Sequence, residues 1–175
     1  MADIRIRAAT AADVPAIGAI YRPAVVGGTA SFELEPPDDA EMGRRFRVIT
    51  EGGFPYLVAE AAGQILGYAY VSQYRPRPAY RYSVENSIYV APEAQGKGVG
   101  RLLLAELIRV ATAKGHRQMI AVIGDTSQAA SIGLHRAQGF TFSGTIHAVG
   151  YKHGRWLDSV MMQRPLGPGD TTPPE

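Results

Sequence analysis

The chain contains no cysteine, no long apolar run and little net charge. Without cysteine among its 175 residues, it can form neither a disulfide nor a thiolate metal site, and it has no covalent cysteine nucleophile. No apolar run approaches the length of a membrane span, and the first residues have no apolar signal-peptide core. The sequence therefore predicts a cytoplasmic protein with no membrane partner.

The charged residues are few and nearly balanced. There are 18 basic and 16 acidic residues, a formal net charge of +2, and no Lys/Arg run, which argues against a nucleic-acid partner. The four histidines lack a metal-ligand spacing, so no metal is predicted. Hydrophobic residues make up 46% of the chain and charged residues 19%, a balance typical of one soluble globular domain.

A glycine-rich stretch stands between a predicted strand and a predicted helix. Residues 88–90 are apolar and β-prone, and the apolar spacing from Leu102 onward is largely helical. The stretch reads Gln95-Gly96-Lys97-Gly98-Val99-Gly100. Open backbone N–H groups at a helix start favour an anion, and Arg101 adds a full positive charge. We expect a phosphate-binding turn here; the alternative is a turn that only links strand to helix.

Two common nucleotide motifs do not fit this stretch. The Rossmann motif needs glycine at its first, third and sixth positions, and Arg101 stands at the sixth. The P-loop needs a Lys-Ser or Lys-Thr pair after its last glycine, and Gly100 is followed by Arg101 instead. Neither nucleotide motif therefore fits this stretch.

Apolar periodicity and turn residues predict alternating helices and strands. The strands are predicted near Ile4–Ile6 and at residues 56–60, 65–71, 83–90, 119–123, 140–149 and 156–162; the helices begin near residues 13, 38, 98 and 128. Pro23 is expected to end or kink the first helix. Residues 167–175 are polar and rich in proline and glycine, which predicts one domain over residues 1–166 and a disordered tail.

Several side chains are candidates for a functional site. Glu85 interrupts an otherwise apolar or small-residue strand, and a buried carboxylate often has a task because it is costly to bury; an outward-facing Glu85 is the alternative. His135 lies on the last predicted helix and has a structural or a functional interpretation. Phe32, a large apolar residue in a polar loop, is either a plug on the core or a wall of a substrate pocket.

A proline loop before the central strand carries arginine and tyrosine side chains. Arg75, Arg77 and Tyr80 lie in it, and the loop leads directly into Glu85. Guanidinium groups suit carboxylates and phosphinates because they offer paired donors in a planar fork. We favour an acceptor-binding loop over an exposed loop with solvated arginines.

The glycine stretch resembles the Q-x-x-G-x-G/A signature of the GNAT superfamily of acyl-CoA-dependent N-acetyltransferases, and the order of elements resembles the GNAT fold. The resemblance covers residues 3–165. It implies an α/β (α+β) fold with a mixed, mostly antiparallel sheet that is splayed at the acetyl-CoA site and has helices on both faces. The chain looks most like the phosphinothricin and methionine sulfoximine/sulfone acetyltransferase group. The segments that carry this are Thr29–Glu33, Ala79–Val90, Ala121–Gly124, Ser131–His135 and Gly150–Asp158.

The resemblance implies direct acetyl transfer from acetyl-CoA to the α-amino group of a small amino-acid-like substrate. Such substrates are L-phosphinothricin, L-methionine sulfoximine and L-methionine sulfone, and the family also forms homodimers. Two alternatives stay open. One is a GNAT enzyme that acts on a polyamine, an aminoglycoside or a protein N-terminus, and the other is a non-catalytic acyl-CoA-binding module.

The resemblance also assigns roles to residues. Glu85 would be the general base, and the Val90 N–H the donor to the thioester oxygen. His135 would be the proton donor to the leaving thiolate, with substrate binding or transfer of the base's proton as alternatives. The acceptor pocket would use Phe32, Arg75, Arg77, Tyr80 and Glu85. The acetyl-CoA site would use Tyr89, Val90, Gln95, Gly96, Lys97, Gly98, Val99, Gly100, Arg101, Gln128 and Ser131. Gln128 departs from the family, which usually has asparagine near this position.

Overall fold

Eleven helices and strands follow one another in the order that the sequence predicts. The computed structural model describes residues 3–174. The elements are β1 (Arg5–Ala8), α1 (Val14–Val26), α2 (Asp39–Glu51), β2 (Tyr56–Ala61), β3 (Gln64–Gln73), β4 (Ser83–Val90), α3 (Val99–Ala113), β5 (Gln118–Ile123), α4 (Ala129–Ala137), β6 (Thr141–Lys152) and β7 (Arg155–Pro165). The predicted GNAT order of elements is therefore confirmed.

All seven strands join one mixed sheet in the order β1-β2-β3-β4-β5-β7-β6. Every neighbouring pair is antiparallel except β4 and β5, which run parallel. The parallel pairing extends only from Ser83–Gln118 to Asn86–Ala121. Beyond that pair the two strands separate, which agrees with the predicted splayed sheet.

Helices cover both faces of the sheet, as two adjacent residues of β3 indicate. Successive strand residues point to opposite faces. A Cβ on Gly67 would lie 3.2 Å from Leu103 and from Val99, so α3 packs closely on that face. On the other face the Tyr68 ring stacks on Tyr89, with ring centroids 5.3 Å apart. The α1 side chain Tyr21 meets Tyr89 edge-on at 4.9 Å, so α1 covers this second face.

Pro23 does not end α1, contrary to one of the two outcomes expected for it. The helix continues to Val26, and the Gly27 N–H donates to the Pro23 carbonyl at 3.0 Å. Proline removes only its own N–H from the helix ladder. The residues after it gain enough from burial to stay helical, since Val25 is fully buried.

The hairpin between β6 and β7 turns through two residues, His153 and Gly154. Both have positive φ, 52° and 73°, as a type I′ turn requires.

The residues after β7 contact Arg117. Its guanidinium donates to the Gly169 carbonyl at 3.3 Å and to the Pro173 carbonyl at 3.1 Å. The domain boundary at residue 166 stays a prediction. Within residues 3–174, no helix is long and apolar enough to cross a membrane.

Candidate active site

A cleft opens where β4 and β5 separate, and most residues predicted to bind the cofactor lie in its wall. The wall also includes the C-terminal half of α1 and the first turns of α3 and α4. The predicted residues that line the cleft are Tyr89, Val90, Gln95, Gly96, Gly98, Val99, Gly100, Arg101, Gln128 and Ser131. Lys97 is exposed on the outside of the turn and is not part of this wall.

The glycine turn brings backbone rather than side chains to the mouth of the cleft. Gly96 and Gly98 have φ values of 72° and 85°, a conformation that glycine adopts at no steric cost. A Cβ on either residue would meet nothing within 4 Å, so the space in front of both backbones is open to a ligand. Helix α3 begins directly after Gly98, at Val99. Its first N–H groups and the helix dipole favour an anion there.

The Val90 N–H points into the cleft rather than into the sheet. Ala91 N–H donates to the Leu66 carbonyl of the neighbouring strand at 2.9 Å. Antiparallel neighbours alternate between hydrogen-bonded and non-hydrogen-bonded pairs, so the next pair, Val90 with Gly67, is non-hydrogen-bonded. The Val90 N–H is thus directed to the side from which β5 has already turned away. It can donate to an oxygen held in the cleft.

A layer of tyrosines backs one side of the cleft. Tyr89 packs against Tyr21 and Tyr68, and the stacking continues to Tyr70 and Tyr56 with centroid distances between 4.9 and 6.4 Å. Burial raises the pKa of each hydroxyl, that of Tyr21 to about 12. The layer is therefore uncharged at neutral pH and holds Tyr89 in a fixed position beside the cleft.

Glu85 lies one residue before the strands separate. Its side chain is half-buried, and desolvation raises the pKa of its carboxyl, opposed by the positive charge of Arg75. Arg75 lies over the Tyr74 ring at 5.2 Å, and Tyr74 meets Tyr80 edge-on at 5.7 Å. Arg75 and Tyr80 thus lie in one cluster with Tyr74, and Arg75, Arg77 and Tyr80 are all exposed on this loop.

The Phe32 ring is held between two glycines. A Cβ on Gly124, at the end of β5, would lie 2.9 Å from Phe32 Cε1. A Cβ on Gly150, in β6, would lie 2.5 Å from Phe32 Cε2 on the other side. Both separations are far shorter than carbon–carbon contact distances, so the ring fits only because neither residue has a side chain. Phe32 keeps 37% of its surface exposed.

Hydrogen bonds fix the loop that carries Phe32. The Lys152 ammonium, only 3% exposed, donates to the Ser31 carbonyl at 2.7 Å, and burial lowers its pKa. The Tyr21 hydroxyl lies 2.7 Å from Ser31 Oγ and donates to Glu33 at 2.8 Å. Gln128 Nε2 donates to the Thr29 hydroxyl at 3.0 Å. The loop is therefore tied to α1, α4 and the β6–β7 hairpin at once.

His135 is buried behind the cleft, with 4% of its surface exposed. Its Nδ1 lies 2.8 Å from the Ser131 carbonyl, and its Nε2 lies 2.9 Å from Asn86 Oδ1. Desolvation lowers the pKa of its imidazole, and the Ser131 carbonyl acts in the opposite direction. Both ring nitrogens are thus engaged inside the protein. The predicted role as a proton donor stays a prediction.

Three contacts of this site had no counterpart in the sequence analysis. Asn86 has one local signal, since it is a polar residue directly beside Glu85 on a strand of mostly apolar or small residues. Lys152 lies at the end of β6, beyond the predicted strand 140–149, and its burial has no local signal. Gly124 and Gly150 stand in segments that resemble the family, but nothing in the sequence indicates that both contact Phe32. Within residues 3–174, no group of three or more acidic or histidine side chains is arranged to hold a metal ion.

A splayed sheet with a glycine turn at the fork defines an acyl-CoA-dependent acetyltransferase of the GNAT class. The Acetyltransferase (GNAT) domain family matches residues 6–161. The chain therefore belongs to the GNAT acetyltransferase family, as the resemblance predicted.

Two curated relatives and one solved structure belong to the predicted group. The chain is 55% identical over 163 residues to phosphinothricin N-acetyltransferase from Alcaligenes faecalis, covering 93% of this chain and 83% of that protein. It is 46% identical over 169 residues to the L-methionine sulfoximine/L-methionine sulfone acetyltransferase of Pseudomonas aeruginosa PAO1, covering 96% and 98%. A solved phosphinothricin acetyltransferase from Sinorhizobium meliloti in complex with AcCoA superposes with a TM-score of 0.95 at 53% identity, covering 98% and 93%.

The two glycines beside Phe32 generate a testable prediction. Gly150→Ala should lower the free energy of unfolding by about 2 kcal/mol, because the new methyl group displaces the ring. In a Phe32→Ala background the same substitution should cost about 0.5 kcal/mol or less, since contacting residues couple. Urea unfolding of the four proteins measures both values.

Gly133→Ala is the matched control for this cycle. Gly133 lies in α4, where a Cβ would meet nothing within 4 Å, and alanine is a better helix former than glycine. Its stability should be unchanged or higher. An equal loss for Gly150→Ala with and without Phe32 would contradict the packing described here.

Proposed function

We propose that this protein transfers the acetyl group of acetyl-CoA to the α-amino group of a small amino-acid-like acceptor. L-phosphinothricin, L-methionine sulfoximine and L-methionine sulfone are the proposed acceptors. The observation that carries the proposal is the half-buried Glu85 carboxylate, next to Arg75, at the fork into which the Val90 N–H points. The similarity to phosphinothricin and methionine sulfoximine/sulfone acetyltransferases supports the same acceptor class.

The cleft fits the donor by its shape and its charge. The open glycine turn and the first N–H groups of α3 would hold the pyrophosphate, with Arg101 at the rim supplying positive charge. The pantetheine arm would lie between β4 and β5, along the wall formed by Tyr89, Gln128 and Ser131. Acetyl-CoA supplies an activated thioester, so the protein has to position it and stabilise developing charge.

Glu85 is proposed as the general base. An α-ammonium group must lose a proton before its nitrogen can attack, and a base within reach directly or through one water assists this step. Desolvation raises the pKa of Glu85, which makes the carboxylate a stronger base than an exposed one. The proton moves from the acceptor nitrogen to Glu85. The Val90 N–H donates to the oxygen that gains negative charge as the nitrogen attacks the thioester carbon. The tetrahedral intermediate then collapses with cleavage of the C–S bond, and CoA leaves as a thiolate that takes up a proton.

The loop around Arg75 is proposed as the acceptor site. The Arg75 guanidinium lies near the Glu85 carboxylate and is held over the Tyr74 ring. A guanidinium binds a carboxylate or a tetrahedral phosphinate, sulfone or sulfoximine group through paired donors. Arg77, Tyr80 and Phe32 complete the proposed pocket. A positively charged pocket disfavours polyamines and aminoglycosides, which are polycations.

A Glu85→Gln variant tests the reaction and the base together. With acetyl-CoA and L-methionine sulfone, wild type should release CoA thiol, and the variant should show a kcat about 100-fold lower. The KM for acetyl-CoA should stay the same, because Glu85 lies outside the cofactor cleft. In wild type kcat/KM should rise with pH as Glu85 loses its proton, and this acid limb should be absent from the variant.

Glu51→Gln, at the exposed end of α2, is the matched control and should behave as wild type. Wild-type turnover in Glu85→Gln would remove Glu85 from the mechanism. No turnover in wild type with any of the three acceptors, despite tight acetyl-CoA binding, would favour the alternative of a non-catalytic acyl-CoA-binding module.

We also propose that a second copy of the chain covers the outer face of the β6–β7 hairpin. Strand β6 is the edge of the sheet and twelve residues long, and long exposed edges are otherwise prone to aggregation. The exposed apolar side chains of β6 are Phe142, Ile146, Val149 and Tyr151, and that of β7 is Trp156. Each of the five is at least 50% exposed. A two-fold symmetric contact buries the same apolar patch on both copies.

Trp156→Asp tests this homodimer. Sedimentation equilibrium should give a dimer for wild type and a monomer for the variant, because a carboxylate within the patch, beside Tyr151, would be desolvated on both copies. Val48→Asp, on an equally exposed apolar residue of α2, should remain dimeric. A wild-type monomer at micromolar concentration would contradict the proposal. The cytoplasmic location stays a prediction.

A further inference from the structure

The side chain of Asn86 bridges β4 and β5 at the point where the two strands separate. Asn86 and Ala121 are the last residues that pair between these strands. The Asn86 Nδ2 donates to the Ile120 carbonyl of β5 at 3.1 Å. This bond is buried, with Asn86 only 6% and Ile120 only 9% exposed. The bond therefore links β4 and β5 at their last paired residues, directly before the strands separate to form the cleft.

His135 holds the opposite end of the same amide. Its Nε2 lies 2.9 Å from Asn86 Oδ1 and its Nδ1 lies 2.8 Å from the Ser131 carbonyl. The edge of the ring meets Phe140, with centroids 4.9 Å apart. The contacts form one line from β5 through Asn86 and His135 to the backbone of α4, where Ser131 also lines the cleft.

Counting donors and acceptors fixes the direction of this line. The Ile120 and Ser131 carbonyls can only accept. The amide nitrogen of Asn86 must therefore face Ile120, which leaves Oδ1 as an acceptor facing His135. The Nε2–H of His135 then donates to Oδ1 whether the ring is neutral or charged. The Nδ1 atom donates to the Ser131 carbonyl when the ring carries its second proton, and in the neutral ring it can accept from the Ser131 hydroxyl, 3.5 Å away. A ring engaged in this way has no N–H left for a leaving thiolate.

We infer that His135 is a positioning residue that acts through Asn86: its ring orients the Asn86 amide, and the amide sets the separation of β4 and β5 where the pantetheine arm enters. The inference rests on the proposed acetyl-CoA site. It replaces direct proton donation by His135 with control of the geometry of the cleft.

The charged groups near this line do not disturb it. Glu85 precedes Asn86 on β4 and so points to the opposite face. Asp125, before α4, is paired with Arg155 at 2.6 Å. Burial lowers the pKa of His135, and the Ser131 carbonyl acts in the opposite direction. The Asn86 oxygen is a second acceptor for the ring, so protonation of His135 strengthens the line.

The sign of one titration shift tests the orientation of the amide. Histidine-selective ¹⁵N spectra give the protonation of His135 against pH. Asn86→Leu removes an acceptor, so the proton affinity of His135 should fall about tenfold. If the amide instead donated to His135, the same variant would raise the proton affinity, and the inference would be overturned. Asn86→Asp should raise the proton affinity of His135, and this positive control shows that the spectra report the titration of His135.

Titration calorimetry with CoA tests the effect on the cleft without needing an acceptor. Asn86→Asp keeps the contact to His135 but has no N–H for Ile120, so the Kd for CoA should rise about tenfold. Asn86→Leu and His135→Leu should each raise it by a similar factor, and the double variant should be no worse than either single one. His116→Gln, on a histidine stacked against Phe54 away from the cleft, should bind CoA as wild type.

Each outcome is decisive. Unchanged CoA affinity in Asn86→Asp, or additive losses in the double Leu variant, would overturn the inference. Because these measurements use CoA alone, they test the inference on Asn86 and His135 independently of the proposed acceptor. Wild-type protein that binds no CoA would contradict the proposed donor site instead.

Discussion

The structure depends on the parallel contact between β4 and β5, which holds for four residue pairs and then ends. Every other strand contact in the sheet is antiparallel. The parallel pairing brings the ends of two strands to the same place, each followed by a helix, so the starts of α3 and α4 meet at one cleft. Separation of the strands leaves backbone groups such as the Val90 N–H directed at a ligand rather than at a neighbouring strand.

The proposed acceptor side of the site is built differently. It consists of loops, and its order comes from long-range contacts rather than from regular structure. The Phe32 loop is tied to α1 by Tyr21, to α4 by Gln128 and to the β6–β7 hairpin by Lys152. Gln128 bonds the Phe32 loop and also lines the donor cleft. The side chain in place of the usual asparagine thus connects the two halves of the site.

Much of the fold could be predicted from the sequence because it follows from local rules. Apolar periodicity and glycine or proline punctuation located every helix and strand. The glycine turn could be predicted because positive φ and open N–H groups depend on a few adjacent residues. The expected end of α1 at Pro23 was wrong because burial of the following turn outweighed the local preference of proline against a helix. The bond from Asn86 to Ile120 and the bond from Lys152 to Ser31 could not be predicted, since they join residues 34 and 121 positions apart whose types carry no mutual signal.

We propose that the Glu85 and Arg75 side chains together select an amino acid with a tetrahedral polar group. The most direct measurement is CoA-thiol release from acetyl-CoA with a panel of amines: L-phosphinothricin, L-methionine sulfoximine, L-methionine sulfone, L-methionine, spermidine and an aminoglycoside. L-methionine differs from its sulfone only in the two sulfonyl oxygens. We predict a kcat/KM at least about tenfold higher for the sulfone, equivalent to about 1.4 kcal/mol of transition-state binding. Turnover only with spermidine or the aminoglycoside would contradict the account.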